Sequence, residues 1–120
     1  MVEIKLKRIY ETYDVSDGIR ILIDRLWPRG MKKEDAKIDY WFKNIAPSNE
    51  LRKWFHHQPD LFGEFCQKYK VELETDIEKS LLIGEICQLA KKRNITLLYA
   101  AKDQQHNHAI VLIKVLMRTI

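Results

Sequence analysis

Two short apolar runs constrain the fold of this chain more than anything else in it. They are Ile19–Ile23, interrupted only by Arg20, and Ile95–Ala101, read as ITLLYAA. Successive apolar residues without alternation mark a strand buried on both faces, the habit of parallel sheets. Both runs then break into polar chemistry. The first is followed by Asp24, Arg25, Trp27 and Arg29, with Pro28 and Gly30 to stop regular structure. The second is followed by Lys102, Asp103, Gln104, Gln105, His106, Asn107 and His108. Open α/β sheets place ligand sites where buried strands end in such loops.

The rest of the chain supplies helices and flanking strands. Val2, Ile4 and Leu6 alternate with Glu3, Lys5 and Lys7, a period of two that predicts a strand near a sheet edge over Val2–Ile9. The following loop, through Asp14, Ser16, Asp17 and Gly18, is short. It leaves little room for a helical crossover, so a hairpin to the next strand is the alternative to a parallel pair. Lys32–Lys37 suggests one helical turn. In Ile38–Lys43 a strand is read over a short helix, with Trp41 on the face opposite Ile38, Tyr40 and Phe42.

Beyond Pro47, Ser48 caps a helix over Asn49–His56 with Leu51, Trp54 and Phe55 on one stripe. Pro59 opens the next helix, whose apolar period runs through Phe65, Cys66, Tyr69 and Leu73. Thr75 and Glu78 form a capping box for a helix to about Arg93. Its core face is read as Leu81, Leu82, Ile86, Leu89 and Ala90. Asn94 suits the position just past its end. A final amphipathic helix spans Ala109–Ile120, burying Ile110, Leu112, Ile113, Leu116 and Met117. Trp41 and Trp54 read as core.

With 120 residues, 46% hydrophobic and 32% charged, the expectation is one soluble α/β domain over residues 1–120. Its sheet would be mainly parallel, of about four strands flanked by helices. No run reaches the roughly 18 apolar residues of a membrane span, and the start lacks a signal-peptide core. A cytoplasmic location with no membrane partner is expected. Cys66 and Cys87 lie far apart in apolar-periodic segments and read as reduced core thiols. The net charge of +4 permits anionic partners without requiring them.

If strands two and four are parallel, their C-terminal ends bring the two polar loops to one edge. Arg25 and Arg29 are planar donors suited to phosphate or carboxylate. His106 and His108 would stand at the positive end of the last helix, capped by Asp103 or a neighbour. The leading reading is a pocket for a small anion, phosphate- or nucleotide-like. Arg25, Trp27, Arg29, Lys102 and Asp103 would bind it, and Asp24, His106 and His108 could serve acid–base chemistry. The second is a nucleic-acid or regulatory module using Arg29, Trp27, Lys32 and Lys33. The third is a structural or partner-binding protein in which the polar cluster only braces the fold.

Plainer roles compete at each position. Asp24 and Arg25 could be an ion pair, Trp27 a packed lid, and His56 and His57 cations favoured at a helix end. His106 and His108 lack a third ligand at motif spacing, so no metal is assigned. GxSxG, P-loop and GxGxxG patterns are all missing, which argues against those reaction classes, and the cofactor is unknown from the sequence. The oligomeric state is not legible.

The blocks IRILIDRLWPRG, IAPSNELRKWFHHQPDLFGEFCQKYKVEL and ITLLYAAKDQQHNHAIVL resemble the bacterial YeaO-like family, a domain of unknown function. The resemblance covers nearly the whole chain. In longer members of the wider superfamily, an Asp-x-Arg after the second strand faces a Cys-His-Arg block after the last. Here the first block reads Asp24-Arg25-Leu26 and the second His106-Asn107-His108, without the cysteine or the arginine. A thiol role is therefore not carried over. The resemblance implies a compact, mainly parallel α/β fold, including a parallel first strand despite the short loop. It implies no established activity.

Overall fold

A computed structural model describes residues 3–120 of the chain. Four strands, β1 (Ile4–Arg8), β2 (Ile19–Leu22), β3 (Tyr40–Trp41) and β4 (Ile95–Tyr99), form one sheet in the order β1-β4-β2-β3. All three pairings are parallel. The hairpin alternative is thereby overturned, because β4 lies between β1 and β2. The expected first strand is shorter than Val2–Ile9, and Val2 itself lies outside the described residues. The third strand shrinks to two residues, with Tyr40 and Trp41 exposed at the sheet edge.

The two apolar runs occupy the centre. Every residue of β2 and β4 is buried. Ile19, Ile21, Leu97 and Tyr99 face the larger core, built with the helices. Leu22 and Leu98 face a smaller one with Ile9 and Ala36, against which Trp27 and Met31 pack. Burial on both sides is what dispenses with alternation in these strands.

The connection from β1 to β2 manages without an α-helix. It crosses beside β4 as a single 3-10 turn, Val15–Asp17, held by polar groups. Asp17 is fully buried; it accepts hydrogen bonds from Lys7 Nζ at 3.0 Å and from Arg20 Nη1, and forms an ion pair with Lys5. Thr96 Oγ1 donates to its carbonyl at 2.7 Å. Burial alone would raise the Asp17 carboxyl pKa. The Lys7, Asp14 N–H, Lys5 and Arg20 hydrogen bonds outweigh it and bring it to about 2. Arg20, the one charge inside the first apolar run, also donates to the Ala36 and Lys37 carbonyls. Gly18 follows with φ +67°, and a Cβ there would stand 2.2 Å from the Asn94 carbonyl oxygen. Only glycine fits that crossing.

Five helices complete the fold: α1 (Lys33–Ala36), α2 (Asn49–Phe55), α3 (Phe62–Thr75), α4 (Ile77–Ala90) and α5 (His108–Thr119). Ser48 caps α2 as expected, its Oγ accepting from Leu51 N–H at 3.1 Å. The capping box read at Thr75 is displaced by one residue. Asp76 caps α4 through Lys79 N–H, while Thr75 Oγ1 donates back to Val71 in α3. The buried face of α4 is Lys79, Ile83, Ile86 and Ala90, and Leu81 is left 69% exposed. The helix also ends at Ala90, short of Arg93, and Asn94 accepts from Glu3 N–H instead of closing it. Met117 is exposed, as are Trp41 and Trp54, so neither tryptophan belongs to the core. Trp54 lies under the Lys68 ammonium, and Trp41 at the strand edge under that of Lys43. Cys66 and Cys87 are free and half-buried. No helix of the described residues is long and apolar enough to cross a membrane.

Candidate functional site

The ends of β2 and β4 lie side by side, because Ile19 pairs with Ile95 and Leu22 with Leu98. The loops that follow therefore open on one edge. Between them lies a cavity of about 700 Å³. All eight residues singled out in the sequence line it: Asp24, Arg25, Trp27, Arg29, Lys102, Asp103, His106 and His108. The cavity size falls within the range of small-molecule sites.

The loop after β2 is pinned on both sides. Asp24 Oδ2 accepts from Ala100 N–H at 3.1 Å, tying it to the end of β4. Trp41 Nε1 donates to the Asp24 carbonyl at 2.7 Å, and Trp27 Nε1 to that of Met31. The two indoles meet edge to face, 5.4 Å apart. Tyr10 hydroxyl donates to the Arg29 carbonyl, and Arg8 donates to the Ala100 and Ala101 carbonyls across the other wall.

Arg25 stands differently from its expected role. Its guanidinium donates to the carbonyls of Ala46 and Pro47 at 3.2 Å, so much of its donor fork is spent bracing the loop before α2. The plain Asp24–Arg25 ion pair is replaced as well: Asp24 meets His108. Arg29 is the exposed arginine of the loop, and Trp27 is half-buried, packed as a lid.

Across the cavity, Asn107 caps α5 through Ile110 N–H, the role expected of Asp103 or a neighbour. Asp103 forms its own turn before the helix. Its Oδ1 accepts from the N–H groups of Gln105 and His106, and its Oδ2 lies 2.9 Å from His106 Nδ1. The Gln105 N–H bond first, then the His106 ring, hold the Asp103 carboxyl pKa below its ordinary value. A carboxylate only accepts, so Nδ1 carries the proton and Nε2 is left free.

His108 is oriented the other way. Its Nε2 donates to the Ile23 carbonyl at 3.0 Å and lies 3.3 Å from Asp24 Oδ1. That oxygen is buried and has no hydrogen-bond partner among the described residues. Behind His108, with ring centres 6.3 Å apart, lies Tyr69, whose hydroxyl donates to the Ile45 carbonyl and whose pKa is driven up by complete burial.

Sequence reasoning missed Tyr10, Arg52, Phe55, His57 and Phe65 on the cavity wall. Arg52, Phe55 and His57 come from the end of α2, where His56 and His57 both adopt positive φ. That turn aims His57 at the cavity, and no local pattern announces it. At the start of α1, Lys32 and Lys33 are followed at once by Glu34 and Asp35. Among the described residues no group of three or more His, Cys, Asp or Glu side chains is placed to hold a metal ion.

The family model described as the inactive DUF488-N3 subclade matches residues 3–120. The chain is similar to the uncharacterised protein YeaO of Escherichia coli K12, 46% identical over 92% of this chain and 94% of that one. It is also similar to uncharacterised proteins of Mycobacterium tuberculosis H37Rv and Mycobacterium bovis. Each is 39% identical, covering 94% of this chain and 92% of the relative. No solved structure matches.

Proposed function

The chain belongs to the inactive DUF488-N3 subclade, and from that premise we propose that it binds a small anionic ligand, phosphate- or nucleotide-like, at the C-terminal edge of its sheet. One observation carries the reading: the charge balance of the cavity. Its wall holds four basic side chains, Arg25, Arg29, Arg52 and Lys102, against two carboxylates, Asp24 and Asp103. Both carboxylates already accept hydrogen bonds from the protein. The surplus is therefore positive, and it sits beside Trp27, Phe55 and Phe65, which suit a flat apolar body.

Arg29 and Lys102 are the arms in this reading, since Arg25 is largely engaged by main-chain carbonyls. Asp24 and His108 shape the floor. The family description favours binding over turnover, and the engagement of Asp24 and His108 with main-chain groups points the same way. Isothermal titration with thymidine monophosphate, and with thymidine as the neutral control, tests it. The monophosphate should bind and the nucleoside should not. Equal binding, or none by either, would remove the anion site.

A second reading, acid–base chemistry, rests on one geometry: Asp103 holds His106 by Nδ1 and leaves Nε2 free. Hydrolysis of p-nitrophenyl phosphate that disappears in His106→Ala would favour it. Turnover indistinguishable from buffer would leave binding alone.

A further inference from the structure

We propose that the cavity's ligand belongs to a longer chain: a single-stranded nucleic acid whose one nucleotide enters the cavity while its neighbours run along the Trp27–Trp41–Lys43 strip beside it. This deepens the anion-site reading and rests on it. The strip is continuous. Trp27 lines the cavity and meets Trp41 edge to face at 5.4 Å. The Lys43 ammonium lies 5.4 Å from the Trp41 ring centre. Leu26, 62% exposed, stands at the cavity mouth next to Trp27.

Trp41 is unusual for a tryptophan. It is 36% exposed on a two-residue edge strand, yet its Nε1 is fixed to the Asp24 carbonyl at 2.7 Å. Trp41 belongs to neither buried core and keeps ring surface exposed beyond its edge contact with Trp27. A fixed aromatic plane beside a cation is a stacking platform for an unpaired base. A base settling on Trp41 displaces the Lys43 ammonium from the ring and leaves it beside the sugar–phosphate. The cation–π contact is then exchanged for a phosphate contact. A duplex keeps its base faces to itself and gains nothing from such a strip. Two anionic groups along one strand would also use both the cavity's surplus charge and Lys43, which a free mononucleotide cannot reach together.

The test compares a short oligothymidylate, thymidine monophosphate and a duplex of the oligonucleotide's length, read by tryptophan fluorescence. The single strand should bind about tenfold or more tighter than the monophosphate, quench the indoles, and weaken steeply with salt. Trp41→Ala should cost about tenfold of the single-strand affinity. Lys43→Glu, at an exposed position away from the cavity lining, should weaken the single strand and leave the monophosphate unchanged. It keeps the test open if the tryptophan variant folds poorly. Monophosphate and oligonucleotide binding equally would overturn the strip and leave the cavity reading intact. A duplex binding as tightly as the single strand would overturn it too. Binding by none of the three would remove both readings.

Discussion

Asp103 holds His106 at two points: its Oδ1 accepts from the His106 N–H at 3.0 Å and its Oδ2 lies 2.9 Å from the ring Nδ1. The side chain is thus fixed by the same carboxylate that shapes the turn before α5. The lowered Asp103 pKa records these contacts, with the Gln105 N–H bond the largest. A carbon-13 titration of the carboxyl should give a midpoint below 3.8 in the wild type. In His106→Ala it should rise partway and stay below the ordinary value, because the Gln105 bond survives. A full return to that value would make the ring, not the turn, the dominant partner.

Asp17 predicts the acid limit of the fold. Its native pKa of about 2 lies below the unfolded value of 3.8. The folded state therefore binds fewer protons, and the stability from Asp17 is complete above pH 3.8. It is lost as pH falls toward 2. Urea unfolding should show that loss in the wild type. Asp17→Asn leaves Arg20 buried without its charge partner, which costs about 3–5 kcal/mol at neutral pH. What stability remains should vary less between pH 4 and pH 2. An unchanged slope would place the acid sensitivity elsewhere.

Core and rim should separate cleanly. Leu98 is fully buried against Ile9, Leu22 and Ala36, so Leu98→Ala should cost about 2–5 kcal/mol by leaving a cavity. Arg29 is exposed, and Arg29→Ala should cost less than about 1 kcal/mol. If both variants melt alike, Arg29 is a brace and not a ligand arm.

Arg25 should behave as a brace. Arg25→Lys keeps the charge but loses the planar fork that reaches the Ala46 and Pro47 carbonyls. A destabilisation of about 1–2 kcal/mol is expected from the lost charge-assisted bonds. Denaturant midpoints equal to wild type would release Arg25 to act on the ligand.

Much of this was legible because the central strands announce themselves. Ile19–Ile23 and Ile95–Tyr99 are apolar on successive residues, so their pairing, and the meeting of the loops behind them, followed from the pattern. What was not legible depends on tertiary neighbours. That β4 inserts between β1 and β2 leaves no mark in the short loop between those two strands. The Asp17–Arg20 pair looked like a loop acid and a stray charge until the crossing buried both. Trp41 and Trp54 were misplaced because each sits on an element too short, or a stripe too shallow, for size alone to imply burial. His57 reached the cavity through the left-handed pair His56–His57, for which the chain offers no glycine or asparagine as a signal.

The central claim is that the β2–β4 edge binds anions through exposed cationic arms. The most direct measurement is the rise in melting temperature with inorganic phosphate or thymidine monophosphate, in the wild type and in the Arg29→Ala/Lys102→Ala double variant. Sulfate belongs to the same anion series, and because it also stabilises by exclusion from the surface, the double variant in the same salt is the control. The account predicts a wild-type shift that grows with ligand concentration, as binding to the native state requires, and that largely vanishes in the double variant. Equal shifts in both proteins across the whole series would contradict it, and the polar cluster would then be a brace for the fold.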